Sequence, residues 1–283
     1  MTKRSFNKGG SMKKVVLRIS LIILLLSVGT ISCTKEQDQG PKTDLGKDRD
    51  KGAITAPEQD QDKGGIADLE KGWQNLDIPL LEKVVKTCEA MIQKNPKDNM
   101  APYYGAKAHF AIADCLDIKS DKEYDQTGEG EKHIDAALKL IKASLIAKED
   151  YVDTHILKYQ ILRRKMFHVS FPGLMMYLSD RRAAWNRAKE LAPNNIDVQI
   201  MNALESAEGV WPPPPPEKAV ADFEKLVQTN PKLAEAYYHM GVIWQNAKNT
   251  ELAKKNYNKV LEINPNHHWA KKKLQSMDKK PSA

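Results

Sequence analysis

From Gly65 onward, apolar side chains return every three or four residues, in segments separated by Asn, Pro and Gly. Val84, Cys88 and Met91 share one such face, Trp185 and Ala188 another, and Ala219, Phe223 and Leu226 a third. This spacing gathers apolar groups on one side of an α-helix and predicts an all-α region. Asn-Pro pairs close the segments at Asn95-Pro96, Asn230-Pro231 and Asn264-Pro265, with Ala192-Pro193 as a variant. Proline lacks a backbone donor and clashes with the preceding turn, so each pair reads as a helix stop.

The stops repeat. Pro231 and Pro265 are 34 residues apart. Between them stand Tyr237, Met240, Gly241, Trp244, Ala253, Tyr257 and Val260. Small residues (Gly241, Ala253) allow two helices to cross closely, and large ones fill the space beside the crossing. This order of small and large positions resembles the tetratricopeptide repeat (TPR) family. The second-helix pattern recurs at Ala219, Phe223, Leu226 and Pro231, and at Trp185, Ala188 and Pro193, where Arg181 replaces the usual small residue. Gly72 and Pro96 bracket an earlier copy, while residues 100–171 keep the helical period but match poorly. The resemblance implies an α-solenoid of about five helix pairs over residues 65–279. The best-matched repeats are 195–231 and 232–265, and a capping helix follows at 266–279. One such hairpin cannot bury its own apolar face, so the copies must stack.

The first 64 residues follow different patterns. Six basic and no acidic residues precede Cys33, together with the apolar run Ile19–Val28. A basic start, a short apolar stretch and a small residue, Ser32, before the break describe a secretory signal over residues 1–32, too short to span a bilayer comfortably. With Cys33 at its end, the segment resembles a bacterial lipoprotein signal, although Thr30 stands where that family usually has Leu. The resemblance implies acylation of Cys33, a lipid anchor in the cell envelope with the outer membrane favoured, and a soluble part in the periplasm. Residues 33–64 are rich in Asp, Gln, Lys, Gly and Pro, and read as a disordered tether. The formal charge of +7 falls to +1 without residues 1–32, so the basic balance is no nucleic-acid footprint.

Groups for catalysis or metal binding are scattered. The seven histidines form no HExxH and no i, i+4 pair with His or Cys, and read as surface or groove residues. The acidic stretch Asp121–Glu131 departs from the spacing of a calcium loop and reads as a connection between helices. The Met-rich stretch Phe171–Tyr177 reads as core filling at a helix start. Cys88 and Cys115 lie on helical patterns and read as buried thiols. No phosphate loop, nucleophile motif or cofactor signature is present, and no enzyme activity or cofactor is expected.

The TPR resemblance implies a scaffold that binds a protein or peptide segment on its concave face. The positions lining that groove are Glu235, Tyr238, Val242, Gln245 and Asn246, with Trp269 in the cap and Ile200 and Leu204 one repeat earlier. The alternative is a small-molecule-binding accessory protein of an envelope transporter. GVWPPPPPEKA, residues 209–219, lengthens the turn between two helices. Pro216 serves as a helix start, since its missing donor would be unpaired there. Trp211, Pro213 and Pro214 read either as a stiff spacer or as a contact edge for a partner.

Overall fold

A computed structural model describes residues 62–120, 125, 127–166, 169, 171–208 and 212–278, without the side chains of 62–66 and 171–172. Cys33, the signal, most of the tether and Trp211 lie outside the described residues. Among the described residues there are eleven helices and no strand. They are α1 (Asp62–Gln74), α2 (Ile78–Lys94), α3 (Met100–Lys119), α4 (Glu129–Ala147), α5 (Val152–Lys165), α6 (Phe171–Leu191), α7 (Ile196–Glu208), α8 (Pro216–Thr229), α9 (Ala234–Asn246), α10 (Thr250–Ile263) and α11 (His268–Asp278). Successive odd and even helices form five hairpins, and α11 packs on α10 as a sixth odd-numbered helix. The first helix starts inside the segment assigned by composition to the tether.

The stops work as one repeated device. The amides of Asn95, Asn230 and Asn264 close their helices by donating to Met91, Leu226 and Val260 at 2.8, 2.9 and 2.8 Å. The carbonyl of each Asn then accepts from the residue three further on, at 3.0–3.1 Å, and the chain turns into the next odd-numbered helix. Ala192 makes the same pair of bonds. A Pro directly after the stop prevents continuation. Starts are fixed separately: the side chains of Asp77 and Asn249 accept from the amides of Leu80 and Leu252. Pro216 is the first residue of α8, preceded by Pro215 in polyproline geometry (φ −53°, ψ 147°).

Four apolar clusters follow one another along the helices: one over α1–α3, one over α3–α5, one over α5–α9 and one over α9–α11. Cys88 and Cys115 are buried thiols in the first. The poor repeat match of residues 100–171 has a length cause: α3 and α4 run 20 and 19 residues, against 13 and 14 in α9 and α10. Arg181 can stand at a small-residue position because its guanidinium meets the Glu205 carboxylate of α7 at 2.8 Å and lies over the Tyr159 ring. Two expectations are corrected. Met175 and Met176 are exposed rather than core, because α6 makes few contacts with α7 and leaves this first part of the helix uncovered. The histidines are not uniformly surface or groove residues: His155 and His239 are buried.

His109 of α3 and His133 of α4 meet at 2.8 Å through their Nδ1 atoms. One ring must donate and the other accept, so protonating both breaks the bond. Burial, and then the neighbouring ring, bring His109 down to about 4, and burial lowers His133 as well. Both rings bind protons more readily in the unfolded chain, so their contribution is complete above about pH 6.5 and is lost as pH falls toward 4. The melting midpoint should therefore drop across that window, and drop less in a His109→Phe/His133→Leu variant. Equal drops in the two proteins would exclude the pair as the cause.

Gly241 marks the tightest crossing. A Cβ there would lie 2.6 Å from the Tyr257 ring, which is fully buried and tied by its hydroxyl to Gln245 at 2.8 Å. The ring cannot retreat. Gly241→Leu should lose about 1–3 kcal/mol or more through overpacking. Thermal melts followed by circular dichroism check this; an unchanged midpoint would contradict the crossing.

Candidate functional site

The odd-numbered helices face one another across the inner side, and their polar groups meet there over long sequence separations. Asp114 of α3 is the meeting point. Its Oδ2 accepts from the Trp73 indole of α1 at 2.8 Å, and its Oδ1 from the Trp269 indole of α11 at 2.7 Å. Burial pushes this carboxyl up, while the two indoles and Arg164 pull against it. Lys272 of α11 donates to the carbonyls of Asp117 and Ser120 at the end of α3. A lysine ammonium suits the negative end of a helix dipole. His268 reaches the carbonyl of Gln74 at 2.8 Å. Both the first and last described helices are thus held to α3.

Beyond this junction, charge pairs bridge neighbouring odd-numbered helices. Arg163 of α5 makes a two-pronged contact with Glu208 of α7 at 2.6 and 3.0 Å. Burial opposes both charges, and their mutual attraction outweighs it, so Arg163 is raised and Glu208 lowered. Arg164 pairs with the buried Asp117. The Tyr159 hydroxyl donates to Glu205 at 3.0 Å. Glu235 of α9 lies 3.4 Å from His239 and 3.7 Å from His267. Partial desolvation raises its carboxyl, but the imidazoles outweigh that and hold it well below the usual range.

An open cavity of about 320 Å³ lies on the same side. The first turns of α5 and α7 contribute Asp153 and Asp197, α3 contributes Tyr103 and Lys107, and Trp73, Ile156, Leu157 and Gln160 complete it. Half of this lining is polar or charged.

The expected groove residues divide. Glu235 is half exposed and Asn246 is exposed. Tyr238 and Val242 pack against the cluster around Tyr257, and Gln245 accepts the Tyr257 hydroxyl. Trp269 turns its polar edge to Asp114 of α3. Ile200 and Leu204 do not line a groove: at 7% and 5% exposure they belong to the α5–α9 core, packed among Ile156, Tyr159 and Met240. Apolar side chains at these positions exclude water by burying themselves between odd-numbered neighbours. Pro213 is exposed and Pro214 half-buried in the loop before α8.

A sequence-family model of the tetratricopeptide repeat matches residues 234–267, the α9–α10 hairpin with the turn that follows it. Residues 234–267 thus match one tetratricopeptide repeat. The fold of the chain resembles TTC0263, a thermophilic TPR protein in Thermus thermophilus, with 14% identity, 75% of this chain and 97% of that chain covered, and a TM-score of 0.53. YrrB, described as a TPR protein with an unusual peptide-binding site, aligns at 16% identity over 76% of this chain and 95% of its own, with a TM-score of 0.34. MamA aligns at 14% identity over 75% and 96%, with a TM-score of 0.39. A search of curated proteins finds no match.

Sequence reasoning missed Asp114, Trp73, Arg163, Glu208 and Lys272. A charged residue in an otherwise apolar helical segment, such as Asp114 in AHFAIADCLDIK, was the one available signal. Trp269→Phe keeps an aromatic ring and removes the donor. A hydrogen bond to a charged group contributes about 1.5–3 kcal/mol. Amide exchange in α11 should accelerate in this variant while α6 and α8 stay unchanged. Unaltered exchange in α11 would show that the indole does not hold it.

Proposed function

We propose that this TPR solenoid is a scaffold whose inner face holds a protein or peptide segment, without catalysis of its own. The observation that carries the reading is the cavity shared by α1, α3, α5 and α7, which stays open while the polar edges of α9 and α11 are engaged inside the molecule. Its half-polar lining suits a side chain and its backbone better than a small molecule, whose sites are mostly apolar. Cell-envelope anchoring belongs to the same proposal and rests on the pattern of residues 1–33, where Ser32-Cys33 stands shortly after the apolar run. Two or three acyl chains, each contributing about 0.8 kcal/mol per buried methylene, hold a protein stably at a membrane.

A photo-crosslinking residue placed at Gln160, exposed on the cavity rim, should yield protein adducts in cells, whereas one at Lys142, exposed on α4, should not. Equal adducts from both positions would reject the inner face as the binding surface. For the anchor, a clickable fatty acid should label the wild type and leave Cys33→Ala unlabelled. Equal labelling would refute acylation at Cys33.

A further inference from the structure

The scaffold reading leaves open what kind of segment the inner face accepts, and the cavity narrows it. Asp153 and Asp197 sit in the first turns of α5 and α7 and line the same space. Among the described residues neither carboxylate is in an ion pair, and Asp153 takes one hydrogen bond, from the Tyr151 hydroxyl at 3.1 Å. Lys107, the cation on the wall, is turned to Glu70 at 2.9 Å. A carboxylate in a helix's first turn is favoured by the dipole whatever its surroundings. The dipole does not explain why two of them face one cavity, nor the third group there. Tyr103, only 9% exposed, lines the cavity, and its hydroxyl has no hydrogen-bond partner among the described residues. This hydroxyl borders the open volume and can accept from an incoming group. Trp73 supplies an aromatic wall.

Resting on the scaffold reading, we propose that this cavity receives a lysine or arginine side chain of the bound segment. Asp153 and Asp197 balance the cation, the Tyr103 oxygen accepts one of its N–H groups, and Trp73 covers the alkyl stem. The like-charge repulsion that now raises the Asp197 carboxyl, after burial, would be relieved by the incoming charge. The partner segment is therefore basic.

The test uses the full chain in detergent and three heptapeptides, Ala-Ser-Ala-X-Ala-Ser-Ala with X as Lys, Arg or Gln, titrated against the Trp73 indole N–H resonance. The Lys and Arg peptides should shift it saturably and the Gln peptide should not. Asp153→Asn/Asp197→Asn, melting as the wild type does, should weaken the Lys and Arg peptides by roughly tenfold or more. Equal shifts from the Gln peptide, no shift from any peptide, or unchanged affinity in the variant would overturn the proposal. Cross-linking at Gln160 separates this from the scaffold reading. Partner adducts that persist undiminished in the double variant would keep the scaffold and reject the cation site.

Discussion

A carboxylate held between two indoles governs how the inner face is used. Asp114 joins α1 to α3 through Trp73 and α11 to α3 through Trp269, the second contact across 155 residues. A row of stacked hairpins touching only their neighbours needs no such bond, since each interface stands nearly alone. Here the two ends are tied to one helix. The curvature of the stack is then fixed by polar contacts as well as by the crossings inside each hairpin. A buried carboxylate is costly unless its oxygens are satisfied, and both oxygens of Asp114 are.

The inner face divides into two parts. The polar edges on the α9 and α11 side serve the molecule itself: Gln245 accepts Tyr257, Glu235 lies against two imidazoles, and Lys272 caps α3. What remains open lies toward the beginnings of α3, α5 and α7, where Asp153 and Asp197 stand without counter-ions among the described residues. The buried pair Arg181–Glu205 and the two-pronged Arg163–Glu208 contact fix α5, α6 and α7 relative to one another. Removing one partner of a buried pair leaves the other charge uncompensated, so such pairs set position more than they add stability.

Much of the fold was legible because its determinants are local. Gly241 and Tyr257 are 16 residues apart and meet in one hairpin, and each Asn-Pro stop acts within a single turn. The site was far less legible. Trp269 was expected on the inner face from repeat spacing alone, but its partner Asp114 depends on how five hairpins accumulate curvature, which no window of sequence encodes. Ile200 and Leu204 show the same limit. Repeat register placed them on the groove, and packing of α7 within the shared α5–α9 cluster turned that face into core. The histidines misled because burial depends on packing between helices: His155 and His239 are enclosed, and His109 meets His133 across α3 and α4.

The most direct test of this account is a distance between the ends. Nitroxide labels on the exposed residues Gln74 of α1 and Lys271 of α11, measured by double electron–electron resonance on the full chain, should give one narrow, short distribution. The Trp269→Phe variant should broaden it. A long or broad distribution in the unaltered chain would mean that the ends are not joined through α3, and the inner face would then be open along its whole length.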